Sequence, residues 1–386
     1  MKQNTTYKQT ELGLIPEDWE VKKLGEVIKL GNGKDYKHLN SGNIPVYGTG
    51  GIITYVDKYL FNGKSVGIGR KGSIDKPVLL DGKFWTVDTL FYVKEFFNSD
   101  IDFIYNSFLK IPWLKYNEAT GLPSLSQNII NNLKIPLPPL PEQKKIADCL
   151  STWDVAIEKQ NALINALTQR KKALMQQLLT GKKRLPGFSG EWKEVSLIEL
   201  ADFRRGSFPQ PYGLPEWYDN ENGEPFIQVY DVGDNFNLKP TTKSKISELA
   251  QVQSVFIKKG TLIVTLQGSI GKVAITNYDA YIDRTLLLFS SFKMKVDIYF
   301  IMYQIHNLFN IEKEKAPGGI IKTITKEVLS NFKIKLPSFE EQTAIAEILA
   351  TADRELQLQK EKLVQLQTQK KGLMQVLLTG KKRLMN

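Results

Sequence analysis

The sequence predicts an α+β protein: two domains of mixed strands and short helices, each followed by a long helix, with the two helices pairing as an antiparallel coiled coil. Three observations predict it. A segment of the 386-residue chain recurs at an offset of 199 positions, each copy carries a heptad seam, and short β-branched runs broken by glycine fill the stretch before each copy. The resulting divisions are 1–141 and 185–340 for the domains, with 142–184 and 341–386 for the helical segments.

The two domains open in a related way, at Leu12-Gly13 through Trp19-Glu20-Val21 and at Leu185-Pro186-Gly187 through Trp192 to Val195. Trp19 lies 123 positions before Glu142 and Trp192 lies 149 before Glu341, so the domains share a frame and the second carries extra residues. An alternating apolar run leads in both to Gly-Ser-Ile, at Gly72-Ser73-Ile74 and Gly268-Ser269-Ile270. Val87-Asp88-Thr89-Leu90 and Ile282-Asp283-Arg284-Thr285-Leu286 follow, and strand-like runs ended by Pro138 and Pro337 lead into the repeat. Similarity fails at Gly48-Thr49-Gly50-Gly51 and from Gly206 to Tyr212, which find no counterpart in the other half. Copied helices joined to divergent heads suggest one machine reading two different things.

Between Glu142–Leu185 and Glu341–Leu384, 22 of 44 positions are identical. Apolar residues Ile146, Leu150, Trp153, Ile157, Ile164, Leu167, Leu174 and Leu178 advance in steps of four and three, and Gln160 and Lys171 fill the two gaps. The second copy repeats this at Ile345, Leu349, Ala352, Leu356, Leu363, Leu366, Leu373 and Leu377, with Gln359 and Lys370 in the gaps. Gly181 and Gly380 read as helix C-caps. The bland alternative is one amphipathic helix packed on its own domain. Polar outer faces leave each helix only a narrow stripe, however, and two matching stripes in one chain are most simply buried against each other. A two-fold relation between the copies makes the pair antiparallel. At 1.5 Å per residue, about 38 residues span roughly 60 Å, a rigid ruler.

The chain carries 52 basic and 41 acidic side chains, a net charge of +11. The excess is local: +3 for 1–141, +5 for 142–184, 0 for 185–340 and +3 for 341–386. This suggests nucleic-acid contact through patches, not through a large basic face. One cysteine, Cys149, excludes a disulfide framework, and the separated His38 and His306 leave little for a zinc site or a histidine triad. No apolar run reaches the roughly 18 to 20 residues of a membrane helix, so a cytoplasmic protein without membrane contact is expected.

Gly67-Ile68-Gly69-Arg70-Lys71-Gly72 satisfies GxGxxG, but Pro77 follows too soon for a helix to open there. A tight turn presenting Arg70 and Lys71 is the better reading. Gly63-Lys64-Ser65 resembles the end of a P-loop, yet Lys58 stands where glycine is required. With no HExxH, nucleophile elbow or amino-methyltransferase tetrapeptide, no catalytic residue, metal ligand or cofactor is expected on this chain.

Readout chemistry remains. Arginine and lysine fork onto guanine, asparagine and glutamine onto adenine, and phosphates accept from lysine, tyrosine and hydroxyls. The candidates are Lys34, Tyr36, Lys37, Tyr47, Arg70, Lys71 and Ser73 in the first domain. In the second they are Arg204, Arg205, Ser207, Tyr230, Gln267 and Ser269. For each, a solvated surface role is the competing interpretation.

Two divergent domains, each followed by a repeated helix opening Pro141-Glu142-Gln143-x-x-Ile146-Ala147 or Glu340-Glu341-Gln342-x-x-Ile345-Ala346, resemble the specificity subunit of type I restriction-modification systems. The resemblance runs from about Gly13 to Leu384; the departure is Glu340 in place of the proline at 141. It implies two target recognition domains that each read half of a split site in double-stranded DNA, with paired helices that set the gap and dock two modification subunits. It places S-adenosylmethionine on those methyltransferase subunits, and ATP and Mg on separate restriction subunits. The alternatives are a recognition subunit of a methylation-only system, or a coiled-coil scaffold whose heads bind proteins.

Overall fold

The computed structural model describes residues 6–315 and 329–384. The assigned ranges 1–141, 185–340 and 341–386 therefore include residues outside the described ones, namely 1–5, 316–328 and 385–386. Contacts divide the chain into two compact units: Met1–Ala162 with Glu361–Asn386, and Leu163–Lys360.

In the first unit, an antiparallel sheet orders the strands Ile28–Asn32, Leu90–Phe96, Ser65–Gly69 and Val78–Leu80. A second, mixed sheet orders Gly51–Val56, Ser41–Gly48, Lys83–Thr86 and Phe61–Asn62, with Trp85 parallel to Val46. The second unit builds the same two sheets in the same strand order. One contains Ala201–Arg205, Leu286–Phe292, Leu262–Thr265 and Val273–Ile275, and the other Ser244–Ile246, Glu224–Ile227, Ala280–Ile282 and Val255–Ile257. The central runs Ser-Val-Gly-Ile-Gly and Leu-Ile-Val-Thr, read from the sequence as alternating, are instead buried along their whole length.

A helix packs on each antiparallel sheet. Asp100 caps the first, Ile101–Lys110, by accepting from Phe103 N at 2.9 Å. Asp297 plays the same part for Ile298–Lys315, accepting from Phe300 N at 2.9 Å. This second helix has 18 residues, longer than the short helices the sequence predicts for the domains.

The repeated segments are helices of 39 residues each, Leu140–Leu178 and Phe339–Leu377. Their starts show what the repeated Glu-Gln does. Gln143 accepts from Asp100 N at 2.8 Å and donates to Pro138 O at 2.9 Å, while Gln342 accepts from Asp297 N and donates to Pro337 O, both at 3.0 Å. Glu142 accepts from the Trp19 indole at 3.0 Å and from Arg383 at 3.0 and 2.6 Å. Glu341 accepts from the Trp192 indole at 3.2 Å and from Arg184 at 2.8 and 2.7 Å. Each arginine comes from the Gly-Lys-Lys-Arg segment that closes the other copy. Gly181 and Gly380 end the helices at φ +72° and +71°, a left-handed cap that glycine adopts without strain.

Within the first unit, Ile146, Ala147 and Leu150 share a buried cluster with Leu377 and Leu378, Trp19, Phe103 and Trp113. Within the second, Met175 and Leu178 share one with Ile345 and Leu349, Phe300 and Phe309. The gap lysines are paired too: Lys370 Nζ lies 2.5 Å from Asp154 Oδ1 in the first unit, and Lys171 meets Asp353 in the second. Gln160 is buried and Gln359 half-buried.

Candidate nucleic-acid interface

Three loops converge at one end of each head, and the same main-chain hydrogen bonds hold them in both. Beyond the strand Ile28–Asn32, Gly33 N donates to Leu90 O at 3.2 Å and Lys34 N to Thr86 O at 2.8 Å. Beyond Ala201–Arg205, Gly206 N donates to Leu286 O and Ser207 N to Ile282 O, both at 3.1 Å. A Cβ on Gly33 would sit 1.9 Å from Val87 O, and one on Gly206 would sit 2.2 Å from Ile282 O. Only glycine lets the chain pass this close. The Gly-Ser-Ile turn is fixed by Arg70 N to Thr89 O at 2.7 Å in one head and Leu266 N to Thr285 O at 2.8 Å in the other. The third loop follows Val87 N to Tyr47 O and Asp283 N to Ile227 O, both at 3.0 Å. Gly72 packs beside Thr49 and Gly268 beside Val229. The Gly48 and Gly206 loops, which lack counterparts in sequence, therefore have them in the backbone.

In the first head, exposed Arg70 and Lys71 line a groove of about 460 Å³ together with Asn32, Glu118, Ser124 and Gln127. Ser73 is half-buried next to them in the turn. Lys34 and Lys37 are exposed on the strand-end loop, where the Lys34 carbonyl accepts from the Trp85 indole at 2.8 Å. Tyr36 and Tyr47 are half-buried and do not line the Arg70–Lys71 groove. Tyr36 packs on the cluster of Ile44, Val46 and Trp85, and the Tyr47 ring meets Phe84 edge-on at 6.3 Å.

In the second head, Arg204, Arg205, Gln267 and Ser269 are exposed and Ser207 is half-buried, its hydroxyl donating to Gln253 O at 2.8 Å. Arg205 occupies the position Asn32 holds in the first head, one residue before the close-approach glycine. Tyr230 is exposed; its hydroxyl donates to Gln228, and Lys243 lies 5.0 Å from its ring centre. Nearby, buried Asp231 accepts from Gln228 N at 2.8 Å and Lys243 N at 3.0 Å, while burial pushes its carboxyl above the ordinary range.

Reading by residue type misses Asn32, Gln127 and Ser124 in the first groove and Arg284 in the second head. Arg284 is exposed, 4.8 Å over the Tyr212 ring, whose hydroxyl donates to buried Asp283. Asp283 also accepts from Thr285 N at 2.8 Å and Oγ1 at 2.5 Å. Burial, reinforced by Asp283, holds the Tyr212 phenol well above its usual range. An arginine next to the aligned Thr-Leu of both halves is the sequence signal that marks this position.

Two heads of one topology, with like-built but chemically different rims and a repeated helical stem, define a two-headed recognition protein. The comparisons name the family. The profile of the type I restriction modification DNA specificity domain matches residues 16–169 and 189–368, and the chain belongs to that family. Its role is DNA recognition as the specificity subunit of a type I restriction-modification system. The type I restriction enzyme MjaVIII specificity subunit of Methanocaldococcus jannaschii is 29% identical, over 96% of this chain and 95% of its own length. A Haemophilus influenzae protein described as a putative type I restriction enzyme specificity subunit is 25% identical over 90% of this chain and 91% of its own. Among solved structures, the S subunit from M. genitalium superposes with a TM-score of 0.58 at 16% identity, covering 93% of this chain and 96% of that one. A chain from a type I restriction-modification system gives 0.61 at 20% identity, covering 95% and 99%. No helix among the described residues is long and apolar enough to cross a membrane.

Proposed function

We propose that each head reads one half of a bipartite site in double-stranded DNA, and that the long helices pair antiparallel as a coiled coil and set the gap between the half-sites. The divisions are 1–141 and 185–340 for the recognition domains, with 142–184 and 341–386 for the spacer. The observation that carries this is the contrast between frame and rim: the same main-chain bonds hold Gly33 and Gly206, yet the residues before them are Asn32 and Arg205. One scaffold thus offers adenine-type readout at one end and guanine-type readout at the other. The antiparallel pairing is supported by the starts and ends of opposite helices sharing one core in each unit, and by the matched Lys370–Asp154 and Lys171–Asp353 pairs.

On this reading the chain is a non-catalytic cytoplasmic subunit. Two modification subunits bring S-adenosylmethionine and methylate adenine; restriction subunits bring the ATP- and Mg-dependent motor and nuclease. The candidate rim residues position the DNA through phosphates or read base edges. Co-expression with a modification subunit, followed by single-molecule sequencing for methylated adenine, tests the proposal. A split motif with a fixed gap is expected. A continuous motif would overturn the two-headed reading, and methylation by the purified chain alone would overturn its non-catalytic role.

A further inference from the structure

Asn32 and Gln127 are 95 residues apart in sequence and meet at the wall of the first groove, where Gln127 Nε2 donates to Asn32 Oδ1 at 3.0 Å. Both backbones are held firmly. Gly33 pins the end of the Asn32 strand, and Leu125 N donates to Arg70 O at 2.9 Å, tying the start of the helix Gln127–Asn132 to the Gly-Ser-Ile turn. Exposed Asn32 and half-buried Gln127 line the groove together with Arg70 and Lys71.

The hydrogen-bond inventory of this pair favours one arrangement. Each side-chain amide has one carbonyl and one NH₂ group, and the mutual bond engages one of each. That leaves the Asn32 NH₂ and the Gln127 carbonyl wholly unused for an incoming group, beside one Gln127 N–H and one Asn32 lone pair that the mutual bond does not occupy. Exchanging nitrogen and oxygen in both amides leaves the same remainder, one unused donor group and one unused acceptor group, so this conclusion does not depend on the amide assignment. In the major groove, adenine offers the complement, the N7 acceptor beside the N6 amino donor. Guanine presents two acceptors there, and cytosine only a donor.

We propose that Asn32 and Gln127 form one specificity-determining unit that reads an adenine in the half-site of the first head. The inference rests on the proposed function, and it adds Gln127 as the partner that fixes how Asn32 meets the base. Arg205, at the equivalent backbone position of the second head, carries guanidinium donors suited to guanine. The competing role for the pair is a brace that holds strand to helix without touching DNA.

Asn32→Asp separates the two roles. An aspartate still accepts from Gln127 Nε2, so the brace survives, while the outward donor becomes an acceptor that repels N7. The test maps methylated adenines in cells carrying the full chain with its modification subunit, for wild type, Asn32→Asp and Gln127→Ala. Discrimination for adenine at one position of one half-site is expected to fall about tenfold or more in both variants, with the other half-site unchanged. An unchanged motif in both variants, whether methylation stays full or drops uniformly, overturns the inference and leaves the proposed function standing. A wild-type motif that is not split overturns both.

Discussion

Removing the Arg383 guanidinium should loosen the first unit selectively. Arg383 forks onto Glu142 at 3.0 and 2.6 Å and onto Asp18 at 2.8 and 2.7 Å. The Glu142 side chain is 9% exposed, so Arg383→Ala leaves a buried carboxylate with the Trp19 indole as its remaining side-chain donor. Breaking a buried pair by deleting one partner costs about 3–5 kcal/mol. The Asp18 arm is half in water and adds little, so the low end, about 3 kcal/mol, is expected. The guanidinium is correspondingly harder to deprotonate than usual, chiefly because of its hydrogen bonds to Glu142. Replacing Glu142 with glutamine as well should recover part of the loss, since no buried charge is then stranded. Two units need not unfold together, so the assay is hydrogen exchange resolved by segment, with Trp19 to Leu24 reporting the first unit and Trp192 to Leu200 the second. Arg184→Ala should produce the mirror result through Glu341. A loss below about 0.5 kcal/mol in the first unit, or equal losses in both units, would refute the reasoning.

Three further outcomes are expected. Cysteines replacing Ile146 and Leu377 should form a crosslink within the chain, because both residues belong to one buried cluster; efficient bridging of a Leu178 and Leu377 pair would instead indicate parallel helices. Arg205→Ala should weaken binding by about 1–3 kcal/mol if it forks onto a base, with relaxation confined to one half-site in a motif map; relaxation of both halves would contradict separate reading. Burial first, and then the charges of Lys171 and Lys313, push the His306 imidazole down to about 4 from an ordinary 6.5. The fold therefore holds it neutral while the unfolded chain takes up a proton, so stability of the second unit should fall as pH drops from 6.5 to about 4. His306→Gln should flatten that dependence in thermal melts, and an equally steep curve would speak against it.

The long helices were legible because a heptad seam is local: each apolar position predicts the next, and the same glycines close both copies. The repeated Glu-Gln was visible as a pattern but not as a function, since its partners Trp19, Asp100 and Arg383 lie far away in sequence. The shared topology of the heads was half legible. Gly-Ser-Ile marked one loop, but Gly33 and Gly206 lie in unlike sequences and align only through their bonds to Leu90 and Leu286. Tyr36 and Tyr47 have the residue type of phosphate contacts, and only tertiary packing shows that their rings join apolar clusters. Asn32 and Gln127 could not be paired from sequence, because nothing periodic relates a strand end to a helix start 95 residues later.

The most direct test of the two-headed ruler lengthens both long helices by four residues, between Ala162 and Leu163 and between Lys360 and Glu361, where the two units divide. Each unit keeps its own core and its Lys–Asp pair. Four residues add about 6 Å of helix, between one and two base pairs at roughly 3.4 Å each. They also rotate the far end by about 40°, which a single added base pair of about 34° matches better than two. Mapping methylated adenines in cells carrying the lengthened chain should return the same two half-sites with a gap one base pair longer. An unchanged gap would contradict the spacer role of the helices.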